Sequence, residues 1–229
     1  VMLILVQVAS ERDANMLINI VGGLLILTFA LFSPLAGQLS HKLDKAYMMR
    51  RIKFAEIMIM CGAALGFYLQ SQAILFCVLF AMGTQSAFFG PVKYSIIPQH
   101  LKERELVAGN AMVEVGTVLA ILLGLILAIK PTGVGTHIMA LSVISVALVG
   151  WLAARLIPDA PSASPDLEVK LNPFPEMRAL WKLARCRQSV FLGILGISWF
   201  WFVGVAVMGQ LPGFSKHVLF GDDTVMKAL

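Results

Sequence analysis

Charge is scarce in this sequence. Of its 229 residues only 14% are Asp, Glu, Lys or Arg, while 59% are hydrophobic. A soluble domain carries roughly a quarter charged residues. Mean hydropathy is +0.84, so an ordinary water-facing globule is excluded. Cysteine is scarce too. Cys61, Cys77 and Cys186 are odd in number, two lie in apolar runs, and no disulfide framework is implied. There is no G-x-x-x-x-G-K-[ST] loop, hence no visible ATP motor. No His, Cys or carboxylate cluster has metal-ligand spacing, and neither a metal nor another cofactor is expected. His100 and Glu105 share the spacing of an acyltransferase-like pair, but Asp would be expected where Glu105 stands, and no nucleophile sits beside a base. No enzyme is read here. The start, Val-Met-Leu-Ile-Leu-Val, has no charged leader and no small-residue cleavage site, so no signal peptide is read.

Long apolar runs are abundant instead. Crossing a bilayer takes roughly 20 apolar residues in a helix. Val1–Val8 reads as the stub of a first span. Ala14–Leu31 is a second, closed by Ser33-Pro34. Ile52–Tyr68 and Ala73–Val92 are a third and fourth, joined tightly enough to form an antiparallel hairpin. Val107–Ile129 and His137–Ile157 are a fifth and sixth. Pro158–Gln188 is polar and proline-rich, and Ser189–Gly209 is a seventh span. The fold class expected is an all-α polytopic membrane protein. Residues 1–157 form an N-terminal bundle, 158–188 a central loop, and 189–229 the seventh span with the start of a second bundle. Both ends suggest a piece of a longer protein.

The net charge of +5 is distributed, not clustered as for nucleic acid, and no nucleic-acid partner is expected. Lys42, Lys45, Arg50, Arg51 and Lys53 lie between spans two and three. Lys102 and Arg104 lie between four and five. Arg155, Lys170, Arg178, Lys182, Arg185 and Arg187 lie between six and seven. The alternate connections hold Arg12, Lys130 and Lys216, thirteen against three. Basic residues stay in the cytoplasm, so the rich side is cytoplasmic. Within 158–188, Met177, Leu180, Trp181 and Ala184 recur at helical spacing beside Arg178, Lys182 and Arg185. This pattern suits either a short helix on the inner membrane surface or one packed on protein.

A charge inside the hydrocarbon costs about 2.5 kcal/mol or more, so each one needs a reason. Glu114 lies about two turns into span five, with Asn110 and Thr117 on the same face at i−4 and i+3. Gly116, Ala120 and Gly124 form a small-residue ridge on a different face, suited to helix packing. Span five is expected to pack by that ridge and turn its polar face to a cavity. Lys93 follows Gly90-Pro91 at the cytoplasmic end of span four. Alone it reads as a snorkelling lysine. Glu56, one turn inside span three, is expected to pair with Lys53 or Arg51.

The stretch Gly37-Gln38-Leu39-Ser40-His41-Lys42-Leu43-Asp44-Lys45 resembles the loop motif of the major facilitator superfamily, with His41 at the acidic position. The resemblance implies a gating or structural role for Gly37, His41, Lys42 and Lys45. Phe89-Gly90-Pro91-Val92-Lys93-Tyr94 and Asn110-Ala111-Met112-Val113-Glu114 resemble the bacterial lysophospholipid transporter branch of that superfamily. The Ser198-Trp199-Phe200-Trp201-Phe202 run is similar to members fused to an acyltransferase and an acyl-carrier-protein ligase. What the resemblance implies is a multi-pass facilitator of the bacterial inner membrane. It would move lysophospholipid to the inner leaflet for re-acylation. Lys93 and Glu114 match the branch's head-group lysine and span-five acid. Substrate contacts are therefore expected among Lys93, Tyr94, Asn110, Glu114 and Thr117. Membrane lipids and an associated or fused acyltransferase or acyl-carrier-protein ligase are the expected partners. Two other readings stay open: a proton-coupled facilitator for small solutes or drugs, and a membrane anchor for fused enzymes.

Overall fold

The structure is a computed structural model that describes residues 11–128, 136–170 and 172–217. Among the described residues there are helices and no strands. The helices are α1 (Glu11–Lys42), α2 (Lys45–Tyr68), α3 (Gln72–Ser95), the one-turn α4 (Ile97–His100), α5 (Leu106–Ala128), α6 (Thr136–Arg155), α7 (Pro173–Cys186) and α8 (Gln188–His217). A 3₁₀ turn, Glu103–Glu105, precedes α5. The chain is an all-α polytopic membrane protein. Gly22–Lys42, Gln72–His100 and Glu103–Gly124 are each long and apolar enough to cross a bilayer, and Met177–Cys186 with Gln188–Gly204 would together make a fourth. The third expected span is helical within α2, but Lys53 and Glu56 interrupt its apolar length. The sixth corresponds to a shorter apolar helix, Ala140–Arg155. The expected first span, Val1–Val8, lies outside the described residues, as do Ile129 and Lys130.

One boundary differs in kind. The second span was expected to close at Ser33-Pro34, yet α1 runs through Pro34 to Lys42. A helical proline removes one backbone donor, and helices packed among neighbours tolerate that loss. Phe32 just before Pro34 anchors this region, meeting Phe80 of α3 edge-on at 6.3 Å and Phe88 of α3 at a tilt at 6.0 Å. Gly37, His41 and Lys42 therefore lie in the last turns of a helix and not in a loop. The connection shrinks to Leu43 and Asp44, and Lys45 opens α2. Asp44 caps α2, its Oδ1 accepting the Tyr47 N–H at 2.7 Å.

The chain divides into two compact units, Val1–Pro173 and Phe174–Leu229. In the first, α3 packs against α1 and α2, and α2 also packs against α6. The hairpin between α2 and α3 is as tight as expected, turning at Leu69–Ser71 with Gln70 at φ 50°. Gly83 of α3 is buried against α1; a Cβ there would collide with the Thr28 hydroxyl and reach within 3.0 Å of Leu25 Cδ2. Small residues let membrane helices approach this closely, where lipid supplies no hydrophobic drive between them. At the basic end, Ala46, Met48, Met49 and Ile52 of α2 pack with Val92, Ile96 and Ile97 around Ala160. At the opposite end Phe67, Leu75, Val78 and Leu79 form a second cluster. Much of α5 faces outward, with Met112, Val115, Leu119 and Leu123 exposed, as suits a helix solvated by lipid. In the second unit α7 meets α8 at a sharp corner, a bend of 114°.

Candidate functional site

The chain turns from α3 into α5 over a few residues. Pro91 lies inside α3 and Pro98 opens α4. Gly109 then lets α5 start hard against this turn. A Cβ on it would collide with Leu101 Cδ1 and lie 3.4 Å from Ile97 Cγ2. Leu106 and Val113 pack against the Val92–Ile96–Ile97 cluster. The first turns of α5 are thereby laid along the last turns of α3.

That arrangement joins four of the five expected contact residues. Tyr94 donates its hydroxyl to Glu114 Oε2 at 2.9 Å. The Lys93 ammonium donates to Thr117 Oγ1 at 3.2 Å, and Thr117 in turn donates to the Val113 carbonyl at 2.8 Å. The ammonium also sits 4.7 Å from the Tyr94 ring centroid. Among the described residues neither Lys93 nor Glu114 has an ion-pair partner within 4.0 Å. A cation and an anion thus share one interhelical seam, each steadied by a neutral hydroxyl instead of by the other. Asn110 does not join them. Its amide donates to its own helix at Leu106 O, 2.8 Å away, and the residue is exposed.

A second polar group lies at the α2–α3 interface, as expected for Glu56. Its Oε2 accepts from Lys53 Nζ at 2.7 Å and from Gln85 Nε2 at 3.1 Å. The same ammonium lies 4.8 Å from the Phe89 ring centroid. This lysine has an anionic partner, which Lys93 lacks among the described residues.

The facilitator-like stretch is engaged in a way that residue types did not announce. The segment after α6 lies across it as a strap. Gln38 exchanges two bonds with the Lys170 backbone, at 2.7 and 3.3 Å. Ser164 N donates to His41 O at 3.0 Å and Lys45 N to Ala160 O at 2.9 Å. Arg50 donates to Ile157 O at 2.7 Å and Gln99 to Pro161 O at 3.0 Å. His41 and Lys45 take part through their backbones, and Lys42 and Gly37 receive no bond from the strap among the described residues. Gly116, Ala120 and Gly124 are exposed, and a Cβ built on either glycine would meet nothing within 4 Å. Their packing role is a proposal without a partner helix among the described residues. No cluster of three metal-binding side chains occurs among the described residues.

Comparison with curated proteins finds similarity across most of the chain. A lysophospholipid transporter, LplT, of Enterobacter sp. (strain 638) is 30% identical over 188 residues, 78% of this chain and 44% of that protein. Over most of its length the chain is similar to bacterial proteins named as lysophospholipid transporters. The protein of the same name from Pectobacterium carotovorum is 27% identical over 210 residues, covering 89% of this chain and 49% of its own length. That of Klebsiella pneumoniae is 29% identical over 196 residues, 80% and 45% respectively. The chain thus spans about half the length of the curated relatives it matches. These relatives are named as transporters, and none of the three carries an enzyme name. No family model and no solved structure matches.

Proposed function

We propose that this chain is part of a lysophospholipid transporter of the major facilitator type, acting without chemistry of its own. In this reading residues 1–157 form the first bundle, 158–188 the central loop, and 189–229 the opening of the second. The observation that carries the reading is the α3–α5 seam, which holds both Lys93 and Glu114, each bonded to a hydroxyl and not ion-paired to the other. A lysophospholipid head group presents a phosphate and, in the ethanolamine form, an ammonium. A lysine holds phosphate as a compact point charge, and the Glu114 carboxylate complements the amine. The single acyl chain needs only an apolar flank. The exposed faces of α5 supply one. Substrate passage would follow from rocking one bundle against another around this site. The destination would be the inner leaflet of the bacterial inner membrane, where a separate or fused acyltransferase or acyl-carrier-protein ligase re-acylates the lipid.

The test is uptake of labelled lysophosphatidylethanolamine by membrane vesicles carrying the full-length protein. Lys93→Ala and Glu114→Gln should each abolish most uptake, and Lys93→Arg should retain a measurable fraction. Unchanged uptake in both neutral variants would overturn the reading. Loss of cationic-dye export with lipid uptake intact would instead point to a small-solute facilitator.

A further inference from the structure

The second unit carries a surface that lysophospholipid transport does not explain. Helix α7 is short, and the chain breaks at Arg187 before α8 begins. Arg187 N donates back to Ala184 O at 3.3 Å, while Phe191 N donates to Arg187 O at 3.0 Å and so starts the new helix's register. The corner is filled by an aromatic pair, Trp181 edge-on to Phe191 at 5.8 Å, with the Arg185 guanidinium 4.9 Å from the Trp181 centroid. The bend is 114°, which is 24° beyond a right angle. If α8 stands along the membrane normal, α7 runs close to the membrane plane, inclined to it by about that excess.

The side chains of α7 are sorted to suit that plane. At about 100° per residue, Leu180, Ala184, Met177, Trp181 and Phe174 fall within an arc of roughly 120°. Phe174, Met177, Leu180 and Trp181 are all exposed. Arg185, Arg178 and Lys182 follow along one edge of this arc, and Glu176 is the one acid in the 173–187 stretch. An apolar arc bordered by cations suits the boundary between acyl chains and anionic head groups. The basic connections place this end of α8 on the cytoplasmic side.

We propose that α7 is an in-plane helix seated in the anionic head-group layer of the cytoplasmic leaflet, with its apolar arc among the upper acyl chains and Arg178, Lys182 and Arg185 on lipid phosphates. This requires that α8 spans the membrane, but not that the protein carries lysophospholipid. The occupant is the bilayer itself, because the corner holds α7 next to it and the charge excess matches anionic lipid.

The full-length protein, with Cys61, Cys77 and Cys186 replaced by serine, is reconstituted in nanodiscs and spin-labelled at single cysteines. The labels are placed at Met177, Leu180, Ala179 and Lys182. Labels at Met177 and Leu180 should be relaxed by oxygen, which concentrates in lipid. Labels at Ala179 and Lys182 should be relaxed by a water-soluble nickel reagent. Equal nickel access on both faces would place α7 off the membrane and overturn the proposal. So would shielding of the apolar arc from both reagents, which would mean packing on protein, or oxygen access on every face, which would mean a re-entrant helix. In unlabelled protein, α7 amides should exchange on the order of tenfold more slowly in nanodiscs containing anionic phosphatidylglycerol than in phosphatidylcholine, since each basic residue near such a surface strengthens attachment severalfold. The difference should vanish in the Arg178→Gln, Lys182→Gln, Arg185→Gln variant. Persistence of the difference in that variant would refute the role of these cations.

Discussion

Replacing Gly83 with alanine adds a single methyl group where α1 and α3 touch most closely. The new Cβ would strike the Thr28 hydroxyl and crowd Leu25 Cδ2 at 3.0 Å. Leucine's terminal methyl can swing aside. The Thr28 hydroxyl is held in place, fully buried and donating to Leu25 O at 2.7 Å. Overpacking of this kind costs about 1–3 kcal/mol, while removing glycine from a helix interior returns about 0.8–1 kcal/mol. Because the hydroxyl cannot yield, the upper part of that range applies, about 2–3 kcal/mol, and the net expected loss is about 1–2 kcal/mol. In a Thr28→Ala background the colliding oxygen is gone, so Gly83→Ala should become neutral or slightly stabilising. The coupling in the double-mutant cycle should then be about 1–2 kcal/mol. Denaturant unfolding of the purified full-length protein in mixed micelles, followed by circular dichroism, measures all four variants. An identical cost of Gly83→Ala in both backgrounds would refute the steric argument, and so would the absence of any cost in the wild-type background.

Three further outcomes follow from the polar groups. Tyr94→Phe removes the donor to Glu114 and should lower lysophospholipid uptake by roughly tenfold, as expected for a hydrogen bond to a charged group, with expression and unfolding midpoint unchanged. Glu56→Leu strands the Lys53 ammonium, whose side chain is only 23% exposed, and should destabilise the protein by about 1–3 kcal/mol, with much of the loss recovered in Lys53→Met, Glu56→Leu; unfolding titrations of both variants decide this. Arg50→Met loses the bond to Ile157 O and should speed hydrogen exchange at Ser164 by roughly 5–30-fold, the factor that about 1–2 kcal/mol would give, as read by mass spectrometry.

The helical architecture was legible because lipid imposes long apolar runs and basic connections, and both are visible one residue at a time. The face shared by Glu114 and Thr117 was legible too, since it depends only on helical spacing. Their partners were not: that Lys93 meets Thr117 while Tyr94 meets Glu114 depends on how the Pro91–Gly109 turn lays α5 along α3. Asn110 shares the spacing but bonds to its own helix, a choice between equivalent acceptors that periodicity leaves undecided. Pro34 misled the reading of α1 because its local preference opposed a helix that tertiary packing maintains. The close contact at Gly83 is not legible, because a lone glycine in an apolar run carries no pattern, unlike the regular ridge of Gly116, Ala120 and Gly124.

The strap over the facilitator-like stretch is gripped mostly by its main chain: Ile157, Ala160 and Pro161 offer carbonyls, Ser164 an amide, and Lys170 both. Main-chain recognition ignores most side-chain identity but depends on residue count. Point substitutions along 157–170 should therefore be silent wherever the side chain points outward and is unbonded, with Ile157 and Ala160 in the cluster and Asp159 beside Arg50 as exceptions. Inserting or deleting one residue would shift every carbonyl out of step with Gln38, Arg50 and Gln99. Selection on this segment would consequently act on its length far more than on its letters.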